Sequence, residues 1–494
     1  MKTTETPTER EERLSRLSSL KKLGINPYPA RIQFQTVPIG KILDSFSDYE
    51  KSEKKVGVHG RIRSKREHGS LLFVDLEENG KKIQLYIKKD NLEEKEFFVL
   101  KNLTDIGDFI AAEGICTKTK RGEQSILVTH IQILAKALRP LPEKWHGLQD
   151  IETRFRKREL DLLSNQEVKS IFVKRNTFIN AIRSYLTNHD CVEVETPILQ
   201  QIPGGAAARP FITHHNTLDQ DMYLRIAPEL YLKRLVVGGM PRVFEIARCF
   251  RNEGIDTQHN PEFTQIELYI AYFDFEQLMT FTEKLLKDAF SKTCGTTKVT
   301  YQKDVLDFAP PYPRKRFADV VREHTKIDIE KGLSRDELAA EAKKRGVEVD
   351  GSWGEGKILD ELFKKHARPH LRGPIFITHH PLALSPLAKQ DPKNNKFVER
   401  FQLLVEGMEM LNGFSELNDP QDQQQRFSEQ EKLRTLGDEE AQFADTAYVE
   451  SLEYGLPPTA GIGIGIDRFM QIIADTTNIK EVILFPTLRN KPNA

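Results

Sequence analysis

The sequence predicts an α+β protein: a small five-stranded β-barrel, then a larger domain of helices around an antiparallel sheet. Two stretches carry that prediction. Between about 55 and 136, short β segments follow one another, separated by turn signals such as Glu78-Asn79-Gly80 and Lys120-Arg121-Gly122. From about 166 onward, helical patterns alternate with strands, and no further boundary is visible. The length of 494 residues suits roughly two or three domains with ample core.

Composition narrows the function classes. Basic and acidic residues balance at 73 each, so no global field draws the chain to nucleic acid, and RNA binding would need local patches. Cys116, Cys191, Cys249 and Cys294 lie far apart with no CxxC pair. That argues against a disulfide framework or a zinc site and suits a reducing cytoplasm. No apolar run approaches the ~20 residues that span a bilayer, and the charged N-terminus lacks a signal h-region. The expectation is a soluble cytoplasmic protein with no membrane partner.

In order along the chain, residues 1–50 form an N-terminal helical extension. Leu14, Leu17, Leu20 and Leu23 recur among Arg and Lys over 9–23, a narrow apolar stripe closed by Gly24 and the Asn26-Pro27-Tyr28-Pro29 turn. Residues 51–140 hold the strands Val56–Ile62, Ser70–Leu76, Lys82–Ile87, Phe109–Thr117 and Ser125–Ile133, a barrel of the OB type. Lys54, Lys55, Arg61, Arg63, Lys65 and Arg66 crowd its first strand, and Phe73 and Tyr86 sit on neighbouring strands. Basic groups around rings can stack unpaired bases, at about 1–3 kcal/mol each. A charged barrel surface with core aromatics would show the same pattern, and composition does not separate the two. Residues 141–165 read as a linker, and 166–494 as the larger domain. Helices are expected at 166–188, 229–237, 275–291 and 334–346, with an exposed Gln- and Glu-rich helix at 421–440. Strands are expected at 191–195, 211–213, 243–250, 263–271, 374–378, 400–405 and 409–417.

The chemistry concentrates in the run Arg248-Cys249-Phe250-Arg251-Asn252-Glu253 and the following His259-Asn260-Pro261-Glu262-Phe263-Thr264-Gln265-Ile266-Glu267. With period two, Arg251 and Glu253 share one strand face, and Phe263, Gln265, Glu267 and Tyr269 share another. Ile266, Leu268 and Ile270 supply an apolar floor, and Gly254–Asn260 joins the strands. A guanidinium forks onto phosphate or carboxylate, a ring stacks on a base, and carboxylates accept from amines. The set suits a nucleotide bound beside an amino-group substrate; a salt-bridged exposed hairpin is the bland alternative.

Other segments offer partners for it. Gly461-Ile462-Gly463-Ile464-Gly465-Ile466-Asp467-Arg468 is not a GxGxxG loop; its alternate glycines clear one strand face, and Arg468 begins a helix. Gln402 to Glu416 carries Glu406, Glu409, Asn412, Phe414 and Glu416, of which the last and its i−2 and i−4 neighbours share a face. Gly204 to Pro210 is a loop of tiny residues suited to close backbone approach. Glu229 opens a helix after Ala227-Pro228, where a carboxylate also serves the helix dipole.

The order of these features resembles class II aminoacyl-tRNA synthetases, and among them the lysyl-tRNA synthetase family. The resemblance rests on Pro197 after Val192-Glu193-Val194-Glu195-Thr196, the run Arg225-Ile226-Ala227-Pro228-Glu229-Leu230-Tyr231-Leu232-Lys233-Arg234-Leu235, the Phe-Arg-Asn-Glu hairpin, Phe414-Ser415-Glu416-Leu417-Asn418-Asp419, the Gly-rich strand ending at Arg468 and Leu484-Phe485-Pro486. It spans about residues 10–490. It implies a class II catalytic domain that joins L-lysine to tRNA(Lys) through lysyl-adenylate, with ATP and Mg²⁺, in a homodimer made by motif 1 around Cys191–Pro197.

By that resemblance Arg251 holds the α-phosphate and the substrate carboxylate, and Glu253 reads adenine. His259 lies on the phosphate side, Phe263 stacks under adenine, and Arg468 closes from the other face. Gly205, Glu229, Glu267, Tyr269, Asn412, Phe414 and Glu416 form the lysine pocket. Arg66, Phe73, Gln84 and Glu123 read the anticodon, and Glu409 with position 402 holds the metal. Position 402 is Gln rather than the family's usual Glu, which lowers its affinity for a hard cation. Ala383 also stands where many relatives carry Glu. Strict alternation puts Glu409 and Asn412 on opposite faces, so a bulge is required to re-aim one of them. An aspartyl or asparaginyl synthetase shares this architecture but would want cations where Glu229 and Glu416 stand. The elongation-factor lysyltransferase relatives lack the barrel. A silent RNA-binding paralogue has Gln402 in its favour and the intact Arg251, Glu253, His259, Phe263 and Arg468 against it.

Overall fold

The computed structural model describes residues 8–142, 148–351, 353–435 and 442–490. They form two compact units, one from the chain up to Asp150 with Glu159–Gln166, the other from Ile151–Arg158 with the chain from Glu167 onward.

In the first unit, α1 (Glu9–Lys22) begins at a capping box made by Thr8 and Glu11. Its apolar stripe is narrower than the leucine spacing suggests. Of those leucines only Leu20 is buried, against Val99, Leu103 and Ile133, while Arg13 fills the neighbouring space and donates to the Ile106 and Ala137 carbonyls. The five expected strands are present: β1 (Lys55–His68), β2 (Leu71–Glu78), β3 (Lys81–Lys88), β4 (Phe109–Lys118) and β5 (Gln124–Ala135). They close into a barrel in the order β1-β2-β3-β5-β4, filled by alternate residues such as Leu72, Val74, Leu85, Ile87 and Val128. The sequence reading missed α2 (Glu94–Asn102), whose Phe97 and Leu100 join this core.

The second unit is built on an eight-stranded sheet. Its strands are β6 (Val192–Glu193), β7 (Arg242–Phe250), β8 (Glu262–Ala271), β9 (Arg314–Arg316), β10 (Ile375–Pro381), β11 (Phe397–Val405), β12 (Met408–Ser415) and β13 (Thr459–Gly465), in the order β9-β10-β11-β12-β13-β8-β7-β6. Interior pairs are antiparallel, as expected, but the edge strands β6 and β9 pair in parallel with β7 and β10, so the sheet is mixed. One face is buried under α3 (Gln166–Thr187), α5 (Phe275–Cys294) and α9 (Ile466–Ile473): Phe178, Leu285 and Phe469 pack on Ile266, Leu268, Ile462, Ile464 and Leu411. The opposite face carries the site. On that side lie α4 (Glu229–Val237), α6 (Glu355–Leu362), α7 (Pro420–Thr435) and α8 (Thr446–Glu453). The helix expected at 421–440 buries Gln423, Arg426 and Phe427, so it is a packed helix rather than an exposed one; residues 436–440 lie outside the described set.

Three local corrections matter for the site. Strand β7 ends at Phe250, so Arg251 and Glu253 lie in the connecting segment instead of sharing a strand face. There the Arg251 N–H donates to the Pro261 carbonyl at 2.8 Å and the Glu253 N–H to the Arg251 carbonyl at 2.9 Å, a tight turn that ends the ladder early. Helix α9 starts at Ile466, which puts Arg468 inside its first turn. The required bulge is present: Gln402 pairs with Asn412 and Leu403 with Leu411, but Leu404 pairs with Glu409, leaving Met410 as the extra residue. Glu409 thereby joins the face of Gln402 and Asn412.

Candidate functional site

A cavity of about 860 Å³ opens on the exposed face of the second unit's sheet. Its lining includes Gly205, Glu229, Arg251, Glu253, His259, Phe263, Glu267, Tyr269, Glu409, Asn412, Phe414 and Arg468, so residues spread over more than 260 positions converge on it. Its size suits a nucleotide and a small second substrate together.

At one end the Arg251 guanidinium lies 5.0 Å from the Phe263 ring centroid, with its Nε buried and without a hydrogen-bond partner among the described residues. A cation and a ring held this close define a place for phosphate beside a place for a base. His259 is fixed by Asp256, whose carboxylate takes Nδ1 at 2.8 Å and the backbone N–H at 2.7 Å. Arg468 donates from Nη1 to the Glu409 carbonyl at 2.6 Å. Its helix is pinned through the preceding residue: Asp467 accepts from the Thr264 N–H at 2.9 Å and pairs with Arg175 at 2.6 Å.

The other end is acidic: Glu229 and Glu267 line the cavity, and Glu416 and Lys233 complete a buried charged chamber behind that lining. Glu229, Glu267 and Glu416 are each at most 6% exposed, and their carboxylates share it with Lys233, which is fully buried. Glu267 accepts from the Tyr269 hydroxyl at 2.8 Å and from the Gln265 side-chain amide. Burial, with Glu229 nearby, pushes the Glu267 carboxyl up to about 8. Burial likewise raises Glu229 and carries Glu416 well above the ordinary carboxylate range. Asn412 accepts at 2.7 Å from the Nε of Arg400, whose Nη1 is tied to the Leu384 carbonyl at 2.8 Å.

Glycines make the room. A methyl group on Gly461 would collide with the Glu416 carboxylate and the Tyr269 ring, and one on Gly463 would lie 2.9 Å from the Gln265 amide. The alternate glycines of β13 therefore clear space for side chains of β8 and β12. Gly205 holds φ +86°, and a Cβ there would stand 2.7 Å from the Glu229 Cβ.

Gln402 does not present a ligand oxygen beside Glu409. Its Nε2 donates to Glu409 at 3.1 Å, and its Oε1 lies 3.2 Å from Nε2 of the buried His380. Among the described residues no cluster of three or more His, Cys, Asp or Glu side chains is placed to hold a metal ion. The side chains at 402 and 409 thus fit an amide–carboxylate hydrogen bond and do not fit a resident two-carboxylate Mg²⁺ site.

The barrel of the first unit presents a separate polar face. Arg66 pairs across strands with Phe73, and Phe73 with Tyr86, whose rings stack at 5.2 Å with planes 5° apart. Arg66 reaches Asp75 at 3.4 Å, Gln84 accepts from Ser125 at 3.1 Å, and Ser125 also donates to the Glu123 carbonyl. The basic cluster is smaller than expected. Arg61 lies over Phe109 at 4.2 Å, Arg63 pairs with Glu77 at 3.2 Å, and Lys65 donates to the Leu100, Lys101 and Thr104 carbonyls. Three of the six basic side chains thereby serve the barrel's own packing.

The sequence reading did not place Lys233 behind the cavity's lining or Arg400 on it. A signal for the first existed: Glu229 and Lys233 stand at i and i+4 on α4, and Nζ lies 2.5 Å from the Glu229 carboxylate. Arg400 had none, because only the fold brings it to Asn412.

Residues 150–489 match the family described as tRNA synthetases class II (D, K and N), and 56–134 match the OB-fold nucleic acid binding domain. That defines the class. The chain is 45% identical over 482 residues to a lysine--tRNA ligase of Enterococcus faecalis, covering 97% of this chain and 96% of that protein. It is 45% identical over 481 residues to the lysine--tRNA ligase of Moorella thermoacetica, covering 97% of each. It is 46% identical over 488 residues to that of an Enterobacter species, covering 97% and 96%. The chain belongs to the lysine--tRNA ligase family of class II aminoacyl-tRNA synthetases.

Proposed function

We propose that the chain activates L-lysine with ATP and passes it to the 3′ end of tRNA(Lys). The observation that carries this reading is the acidic chamber beside the Arg251–Phe263 pair. Three buried carboxylates are costly unless cations meet them, and a substrate with two ammonium groups supplies those cations. Aspartate and asparagine do not. Lysine-dependent ATP–pyrophosphate exchange, run beside aspartate and asparagine, tests it: exchange with lysine alone is expected, and exchange with either rival but not lysine overturns it.

In the first step the lysine carboxylate oxygen attacks the α-phosphorus of ATP in line, forming the acyl phosphate bond of lysyl-adenylate as pyrophosphate leaves. In the second, a 3′-terminal hydroxyl of tRNA attacks the acyl carbon, AMP departs and the hydroxyl proton is lost. No side chain needs to become covalently attached. Arg251 would bridge α-phosphate and substrate carboxylate, Phe263 and Arg468 would hold adenine between them, Glu253 would take its amino group, and His259 would lie along the phosphates. Glu229, Glu267 and Glu416, with Tyr269, Asn412 and Phe414 around them and Gly205 giving room, would receive the lysine ammonium groups. Catalysis is then positioning and charge neutralisation.

Mg²⁺ enters this reading as part of the MgATP substrate, with Glu409 its one carboxylate partner at this position. Gln402→Glu is expected to lower the Mg²⁺ concentration that gives half-maximal exchange; an unchanged Mg²⁺ dependence would sink the weakened-site idea. In the barrel, the stacked Phe73 and Tyr86 with Arg66, Gln84 and Glu123 form the proposed anticodon-reading face. The exposed apolar side chains Val173, Val192, Ile198 and Leu199 support a homodimer through motif 1, checked by sedimentation. No helix of the described residues is long and apolar enough to cross a membrane, and all four cysteines are free, in keeping with a cytoplasmic enzyme.

The Glu267 carboxyl gives this reading a pH signature. Because it is raised to about 8, it carries a proton in the empty chamber below that pH. A bound ammonium favours the charged form, so lysine must expel the proton. The KM for lysine is expected to fall as pH rises toward 8, about tenfold per unit, and then to level. Glu267→Gln should flatten the profile. A flat profile between pH 6 and 8 in the parent enzyme would contradict the assignment.

A further inference from the structure

Lys233 is the unexpected occupant of the chamber. Its side chain is fully buried, yet it lies outside the catalytic grip on ATP. Its Nζ stands 2.5 Å from Glu229, touches Glu416, and lies 5.3 Å from the Phe414 ring centroid and 5.9 Å from that of Tyr448. Two carboxylates and two rings around one ammonium are what a buried lysine side chain requires, whether it belongs to the substrate or to the protein. The chain therefore already carries, inside its own pocket, the group that the pocket is read to recognise.

The arrangement is not closed. Glu416 meets Lys233 through Oε2, while its buried Oε1 has no hydrogen-bond partner among the described residues and faces the space left by Gly461. The Tyr448 hydroxyl also meets the Lys233 ammonium. Glu416 thus meets Lys233 as an ion pair while keeping acceptor capacity toward the cavity. The groups facing Lys233 come from α4 (Glu229), β12 (Phe414), the segment just after it (Glu416) and α8 (Tyr448), with Glu267 and Tyr269 of β8 behind them. The nearest other cations are engaged: Arg400 with Asn412 and the Leu384 carbonyl, Arg251 over Phe263.

We propose that Lys233 is a resident counter-ion that shares Glu229 and Glu416 with the substrate's ε-ammonium and sets the charge the chamber presents to substrate. With Glu267 protonated in the empty chamber, Glu229 and Glu416 against Lys233 leave an excess of one negative charge, which becomes two once lysine expels the Glu267 proton. A diamino acid brings two ammonium groups, and its carboxylate is met separately by Arg251. Without Lys233 the excess would be larger by one, which burial relieves by protonating carboxylates, and a protonated chamber accepts uncharged side chains. Lys233 is on this view a positioning and specificity-determining residue: its ammonium opposes the rise that burial imposes on Glu229 and Glu416 and so favours their charged, cation-selective forms. Consistent with this, burial alone would lower the Lys233 ammonium, but Glu229 and Glu416 outweigh it and hold it above the ordinary lysine range.

The inference rests on the lysine-activating reading, and the test separates the two. Lys233→Met in the full-length enzyme is expected to raise the KM for lysine about tenfold or more at pH 7.5 with kcat less affected. It should steepen the pH dependence of that KM and narrow the discrimination between lysine and its uncharged analogue norleucine. A folded variant with the parent's KM, pH slope and norleucine discrimination overturns the role of Lys233. If the parent itself shows no lysine-dependent exchange, the functional reading fails instead. A measurement on the parent enzyme covers the case in which the variant does not fold: calorimetry of lysine binding at pH 7 in buffers of different ionisation enthalpy. Release of about one proton, from Glu267, is expected. Release of about three would mean that Glu229 and Glu416 are protonated beside Lys233, and would overturn the proposal.

Discussion

Replacing Arg251 with alanine is expected to lower lysine-dependent ATP–pyrophosphate exchange by about 10²–10³-fold, chiefly in kcat, while leaving the fold intact. Preorganised charge aimed at a developing phosphoryl negative charge acts in a water-poor site, and removing one such donor group typically costs this much. The structure explains why the loss should be confined to chemistry. The Arg251 backbone is held by its N–H to the Pro261 carbonyl at 2.8 Å, independently of the side chain. The guanidinium itself rests on Phe263 at 5.0 Å and its Nε has no partner among the described residues, so none of their hydrogen bonds to the Nε is lost. Arg251→Lys should recover only part of the rate, because an ammonium cannot fork between phosphate and carboxylate. Exchange rates and a thermal melt of both variants decide the matter. An alanine variant within about tenfold of the parent would remove Arg251 from the transition state.

Much of this was legible because period-two patterns survive into three dimensions. The Ile266–Leu268–Ile270 floor and the opposed Gln265–Glu267–Tyr269 face follow from alternation alone. The barrel strands follow in the same way, with Leu72, Val74, Leu85 and Ile87 marking the interior. Even the bulge at Met410 could be inferred, because two pocket residues three apart cannot otherwise share a face. Alternation failed where the chain stops being a strand without a breaker residue. Nothing in Arg251-Asn252-Glu253 says that the ladder ends at Phe250; the Asn252 N–H bonds instead to the distant Arg209 carbonyl at 2.8 Å. The basic cluster of β1 misled for a related reason. Composition counts charges, but the Lys65 ammonium is engaged by carbonyls at the end of α2, a helix whose short amphipathic run was not separated from its neighbours. Lys233 was overlooked because a helical lysine is ordinarily solvated, and only tertiary packing reveals that this one is enclosed.

The second large effect is expected at Glu416, where charge and shape can be separated. Glu416→Gln keeps the volume and removes one negative charge, leaving Glu229 and Glu267 against Lys233. Truncating one member of a buried charge pair typically costs about 2–5 kcal/mol of binding, so the KM for lysine should rise about a hundredfold or more. ATP affinity should stay near the parent value, because Glu416 pairs with Lys233 and touches neither Arg251 nor Phe263 in the contacts that define the nucleotide end. Stability should fall by less than the ~3–5 kcal/mol of a fully orphaned buried charge, because Glu229 still holds Lys233 at 2.5 Å. Gly461→Ala provides the complementary case: its methyl group would press on the Glu416 carboxylate and the Tyr269 ring without changing any charge. It should raise the KM for lysine while keeping a pH-dependent profile, since the titrating Glu267 remains and only its Tyr269 partner is disturbed. If Glu416→Gln bound lysine as the parent does, the acidic chamber would have to be read as structural, and the basis for selecting a cationic substrate would move elsewhere in the cavity.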